Sequence, residues 1–383
     1  MFAAMLMMLA QLSAPPPPAP HASAAVMPPA QSPPRPMIVE FTPGEVRCRG
    51  EVIAPRFAER PLPGSTFNGR AAPGPGYTLA FRIGADGRPL GISRPNRGEG
   101  EGPYLATDDL APALAAWQFA PGERRGCTVT FMPALTPVAT APLAELARFV
   151  ALPRLGSAGW REAVERVTRE DTTCFTPTRP RVLLQGYPDF ETIPQRPGTF
   201  SWTFVGYDID RSGKAVRTRT LASDGNVKLD REAVAALARS RYVGEARTGC
   251  NFPFHRRQVA PLEPPPAPER DSFVAADARC DNSVNFAKKP VMTYPEGFRR
   301  RSIEGWAVVR YDVAPWGGTG NIAVLASEPA EAFGEEARRV IAAATRPPSS
   351  TGAAGCVDRV RFKLPADGRD ANTTEPPVIV TAR

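Results

Sequence analysis

Two residue types decide first what chemistry this chain can hold. Histidine is almost absent: only His21 and His255 occur in 383 residues. A Ser-His-Asp triad, a His-rich metal site or an HExxH zinc site each needs histidines that are missing here. Cysteine occurs six times, as Cys48, Cys127, Cys174, Cys250, Cys280 and Cys356. The intervals alternate long and short, and the long ones are 79, 76 and 76 residues. The second cysteine of each long interval follows a glycine, as Gly126-Cys127, Gly249-Cys250 and Gly355-Cys356. We read three copies of one module, each closed by its own disulfide: 48–127, 174–250 and 280–356. Zinc is the poorer reading, because there is no CxxC pair and no nearby histidine. Disulfides imply an oxidising compartment.

The other groups with chemically active side chains or loops read as structure. Gly98-Glu-Gly-Glu-Gly102 has no strand leading into it and no helix after it, so it is no phosphate cradle. Asp208, Asp210 and Asp224 lack the ligand order of a calcium loop. Glu232 and Glu245 have no partner implying paired-carboxylate catalysis, and His255 reads as a surface residue. Tyr77, Phe200, Trp202 and Trp306 sit in strand-like runs and read as core. No cofactor, metal or catalytic residue is expected, and the chain is not expected to be an enzyme.

Each module shows the same order of elements. A strand-like run leads to a tight turn: Tyr77–Ile83 with Asp86-Gly87, Phe200–Ile209 with Ser212-Gly213, and Trp306–Val313 with Gly318-Thr-Gly320. Second strands follow, at Pro89–Ile92, Ala215–Leu221 and Asn321–Leu325. Helices are predicted over Asp108–Trp117, Leu229–Arg239 with Asp230 as N-cap, and Phe333–Ala344. Last strands fall at Cys127–Phe131, Cys250–Phe254 and Val357–Leu364. The fold class is α+β: three tandem modules, each a three-stranded antiparallel sheet with one packed helix (β-β-α-β).

Composition sets the spacing. Prolines number 45, far above an ordinary share, which calls for spacers and interrupted elements. A signal peptide is expected over 1–25, from the apolar start MFAAMLMMLAQLSA. Cleavage is placed near Ala14 or within His21–Ala25. The positive charge that usually precedes such a run is missing, so either the start lies upstream or the signal departs from the pattern. The remaining division is a Pro-rich linker 26–40, module one 41–135, a helical linker 136–171, module two 172–258, a Pro-rich linker 259–272, module three 273–366 and a tail 367–383. In the helical linker, Ser157–Asp171 places Trp160, Ala163, Val164 and Val167 on one face. No run reaches the roughly 20 apolar residues of a membrane-spanning helix. The net charge of +8 suits anionic surfaces but is too diffuse to indicate nucleic acid.

Module three resembles the C-terminal domain of the TonB family. The resemblance rests on Tyr294-Pro295, Arg300, Ile303-Glu304-Gly305, Tyr311-Asp-Val, Gly320, Asn321–Ser327 and Val357–Leu364. Module two is similar over Gly186-Tyr-Pro188, Ala222-Ser223 and Leu229–Ala233. Module one keeps only Ala116-Trp-Gln-Phe-Ala-Pro121. The departures are a short linker, three modules and Ala344-Thr-Arg-Pro-Pro348 in place of an aromatic exit from the helix.

The resemblance implies a periplasmic or secreted protein whose last strand accepts a segment of a protein partner by strand addition. The residues implied are Tyr294, Pro295, Arg299, Arg300, Val357, Arg359, Arg361 and Phe362. A segment of an outer-membrane transporter is one such partner. Two alternatives stand beside it. One is a TonB-type energy transducer. The other is a structural protein holding an anionic surface or peptidoglycan through Lys288, Lys289, Arg299, Arg300 and Arg301. No nucleic-acid partner and no small-molecule substrate is expected.

Overall fold

The computed structural model describes residues 35–67, 76–95, 105–168, 172–174, 178–256, 260–281, 283–288 and 291–364. The expected signal peptide, the tail 367–383, Gly98–Gly102 and Lys289 lie outside them. The fold is α+β, built from small antiparallel sheets. The described residues from Arg35 onward belong to one compact unit.

The first module contains β1 (Pro36–Pro43), β2 (Arg47–Cys48), β3 (Glu51–Val52), β4 (Gly64–Phe67), β5 (Tyr77–Ile83), β6 (Pro89–Ser93), α1 (Leu110–Ala115) and β7 (Arg124–Pro137). The expected strands are β5, β6 and β7, and β5 alternates buried and half-buried residues as a one-sided strand does. Four further strands join them. β7 is long enough to pair with β5 through its first half and with β1 through its second. The linker placed at 26–40 therefore ends early, because Ile38 and Val39 are buried in β1. Its flanking prolines, Pro36 and Pro43, hide that strand from the sequence pattern.

Two helices follow, α2 (Leu143–Ala151) and α3 (Trp160–Val167). The second module then supplies β8 (Arg181–Leu184), β9 (Ser201–Ile209), β10 (Ala215–Ser223), α4 (Val227–Ala238), β11 (Arg241–Val243) and β12 (Arg247–Arg256). Its sheet runs β10-β9-β12. One face carries Val205, Tyr207 and Ile209 against Ala233 and Leu237 of α4. On the other face, Trp202 and Phe204 cluster with Leu146 and Phe149 of α2, so the linker helix serves as a packing layer. The cap of α4 is Asn226, which accepts from the Leu229 N–H at 3.2 Å. Asp230 sits one turn in, where it accepts from Ser223.

The third module comprises α5 (Glu296–Arg300), β13 (Gly305–Val313), β14 (Thr319–Glu328), α6 (Glu331–Ala342) and β15 (Ala353–Phe362), in sheet order β14-β13-β15. The tight turn is Ala314–Gly317, one step before the Gly318-Thr-Gly320 placement; Gly320 is already in β14. Phe333, Ala337, Val340 and Ile341 of α6 cover Ala307, Val309 and Tyr311 of β13. That cluster continues without a break into the first module through Ile92, Leu110 and Phe81. The two modules share one core, joined where the Ile92 N–H bonds the Pro329 carbonyl at 2.9 Å.

The cysteines pair as 48–127, 174–250 and 280–356. Before each second cysteine the last strand bulges, at Gly126, Gly249 and Gly355, all with positive φ. Each second strand bulges too, at Gly91, Arg217 and Asn321, again with positive φ. In the second and third modules one carboxylate holds both bulges. Asp208 accepts from Gly249 N and Arg217 Nε, and Asp312 from Gly355 N and Asn321 Nδ2. Bulges twist a strand and re-aim its ends, so the repeated pair fixes how each last strand leaves its disulfide.

Candidate partner-binding edge

β15 is an edge strand. On its inner side it pairs with β13, from Val313 opposite Ala353 to Gly305 opposite Phe362. On its outer side, Arg279 and Ala354 exchange two backbone bonds of 2.9 and 3.1 Å. The neighbouring Cys280–Cys356 disulfide locks that end. Beyond Val357, around Arg359 and Arg361, no backbone partner is found on that side among the described residues, and unpaired backbone groups on an edge form a template for another strand.

Alternation along β15 separates two sets of side chains. Cys356, Val360 and Phe362 face α6 and the shared core. Val357, Arg359 and Arg361 face the other way, beside Arg310, Val308 and Trp306. Val357 and Phe362 are buried, so their side chains are closed to a partner at this edge. Arg359 and Arg361 are half-buried. Arg359 donates to the Pro268 carbonyl at 2.9 Å. Lys363 pairs with Glu304 at 2.5 Å, and Glu304 also accepts the Leu364 N–H, pinning the chain as it leaves the sheet.

Tyr294 and Pro295 belong to the frame beneath this edge. The Tyr294 ring packs edge-on against Phe333 and Phe362, and its hydroxyl donates to the Ile303 carbonyl at 2.8 Å. Burial, and secondarily the Glu304 carboxylate, push its phenol well above the ordinary value. Pro295 precedes the first turn of α5. The pair thus anchors the turn that delivers β13.

The basic cluster is not the open patch expected. Arg299 and Arg300 both lean on Glu296, at 2.7 and 3.7 Å. Arg301 is wholly buried, a correction to its reading as a surface cation. Its guanidinium donates to Asp109 at 2.5 and 2.7 Å, to Glu59 at 2.9 Å, and to the Gly198 and Arg60 carbonyls at 3.0 Å. It also lies 5.1 Å from the Phe200 ring centre. This one side chain therefore joins all three modules. Burial would pull its pKa down, but the Asp109 and Glu59 carboxylates hold it above the ordinary arginine value. Glu59 is shifted up by burial, against the opposing pull of Arg301. No nearby sequence signal marks this junction, because the partners lie 192 and 242 positions away.

Glu59 and Asp224 also line a cavity of about 540 Å³ between the first and second modules. Burial raises the pKa of Asp224, which accepts from Ser201 Oγ and the Asn226 N–H. Both carboxylates thus already have structural partners. Among the described residues no cluster of His, Cys, Asp or Glu suits a metal ion, and no helix is long and apolar enough to cross a membrane.

The stretch placed as a linker at 259–272 is instead docked. The Leu262 N–H donates to the Ser302 carbonyl and the Glu304 N–H to the Leu262 carbonyl. Trp306 Nε1 donates to Pro265 O at 2.8 Å, and Arg88 to Glu263 O at 2.6 Å. Ala267, Phe273 and Val274 pack on Trp306, Val308 and Val357, covering the sheet face opposite α6. Proline segments order at low entropic cost and leave their carbonyls free to accept, which composition alone does not separate from a spacer.

Comparison with known proteins gives a family match at the third module. Residues 290–368 match the family model described as the Gram-negative bacterial TonB protein C-terminal. Among solved structures, the chain is similar to the solution NMR structure of Pseudomonas aeruginosa TonB CTD. The identity is 26% and the TM-score 0.20, covering 22% of this chain and 89% of that one. No curated protein matches. The matched range, within which lie α5, the β14-β13-β15 sheet and α6, is thus similar to the C-terminal domain of Gram-negative TonB proteins.

Proposed function

We propose that this chain is a non-enzymatic protein of the cell envelope whose third module binds an extended segment of a protein partner, by strand addition along the outer side of β15. The observation that carries this reading is the outer side of β15 around Arg359 and Arg361, where no backbone partner is found among the described residues, in a domain similar to the TonB C-terminus. Three disulfides support an oxidising, periplasmic or secreted location. The repeated bulges, disulfides and turn glycines support reading the three modules as tandem copies of one ancestor. Arg361, without an acidic partner among the described residues, favours a segment carrying a carboxylate near Trp306.

Photocrosslinking in cells from position 361, with mass spectrometry of the adduct, tests this. The expected adduct maps to one extended segment of an envelope protein. A blank, with the protein abundant and all three disulfides formed, overturns strand addition here.

A further inference from the structure

The face of the third module opposite α6 is occupied by Pro264-Pro265-Pro266-Ala267-Pro268. Glu263, Pro264, Pro265 and Ala267 each precede a proline, which restricts them to extended or polyproline II backbone. Such a segment has no internal hydrogen bonds, so its carbonyls point outward and unpaired. Here three of them are read by side chains: Glu263 O by Arg88, Pro265 O by Trp306 Nε1, and Pro268 O by Arg359. Between those contacts Ala267 rests on the apolar floor of Trp306, Val308 and Val357. An indole donor beside an apolar floor, with cations at the flanks, is the chemistry by which proteins bind polyproline ligands. None of these contacts uses the outer backbone side of β15, so this surface is separate from the edge proposed above.

The chain contains the same pentapeptide a second time. Residues 16–20 read Pro-Pro-Pro-Ala-Pro, identical to 264–268. We propose that the Trp306 face is a polyproline-recognition surface, held in cis by Pro264–Pro268, and that Pro16–Pro20 of a second copy is its competing ligand. Leu262 and the Cys280–Cys356 disulfide tether the resident segment on both sides. Tethering gives it an effective concentration on the order of millimolar, so the exchanged state is minor in the intact chain.

The probe is a labelled peptide spanning Ser13–Ser23, titrated into the full chain. The variant Pro264→Ser/Pro265→Ser/Pro266→Ser should bind it at least tenfold more tightly than the wild type. Adding Trp306→Phe should remove that gain. The same strap variant should dimerise in analytical ultracentrifugation, and free peptide should dissolve the dimer. Equal peptide binding by wild type and strap variant, or a strap variant that stays monomeric, overturns the proposal. Should the strap variant fail to fold, the wild type decides. Spin-labelled peptide at millimolar concentration should broaden the Trp306 indole signal and spare that of exposed Trp316. Absence of broadening at Trp306 refutes recognition. N-terminal sequencing of the mature protein completes the test. Cleavage near Ala14 keeps the ligand, and cleavage within His21–Ala25 removes it and refutes the exchange.

Discussion

Replacing Arg301 with methionine should do more damage than any other single substitution in the described cation set. The side chain is fully excluded from solvent, and Asp109 is 2% exposed. Removing the guanidinium leaves Asp109 with only the Leu62 N–H among the bonds described, and Glu59 with only the Phe200 N–H. Breaking a buried pair by deleting one partner costs roughly 3–5 kcal/mol, chiefly through the charge left behind. That is a large share of a typical total stability of about 5–15 kcal/mol. With a urea slope of about 3 kcal/mol per molar, the midpoint should fall by roughly 1–1.7 M. Tryptophan fluorescence reports the transition, because Trp117 and Trp202 lie in the two clusters that meet near this junction. Removing the stranded charge as well, in Arg301→Met/Asp109→Asn, should recover about half the loss. A single variant within about 1 kcal/mol of wild type, or a double variant worse than the sum of its parts, would refute the reasoning.

Further outcomes follow from the same geometry. Gly317→Ala should cost about 3 kcal/mol or more, since its φ is +90° and a Cβ would lie 2.1 Å from the Arg346 carbonyl; Gly225→Ala, with open space around it, should cost about 1 kcal/mol by the same urea assay. Asp312 is held below the ordinary carboxylate value by Asn321, then by the Gly355 N–H. Its contribution is therefore present above 3.8 and lost as pH falls through its lower folded value. The stability gap between Asp312→Asn and wild type should shrink on acidification from about pH 5 to about pH 2. Cys280→Ser/Cys356→Ser, which reopens a loop of 76 residues, should lose about 4–5 kcal/mol in calorimetry.

What could be read from the sequence was whatever is local or periodic. The cysteine spacing selects the observed pairs, and the hairpin runs, the stripe on α6 and the core aromatics Trp202 and Trp306 all stand where their patterns put them. The misplaced features depend on contacts distant in the chain. β1 is framed by prolines and becomes a strand only because β7 extends to meet it. Pro264–Pro268 has a spacer's composition, and only the donors of Trp306 and Arg359 make it part of the wall. Arg301 sits in a run of three arginines whose other two stay near solvent with Glu296. The turn in the third module falls one step earlier for a local reason: of its glycines, Gly317 is the one whose carbonyl accepts the Arg346 N–H, as Gly87 and Gly213 accept from Phe119 and Tyr242. That equivalence is visible only once the three turns are superposed by their bonds.

The most direct test of strand addition is amide hydrogen exchange on the full chain, with and without the peptide segment captured from position 361. The account predicts new protection confined to β15 between Asp358 and Phe362, with β14 and the Trp306 face unchanged. Protection on the Trp306 face or β14 instead, or no change along β15 at saturating peptide, would contradict it.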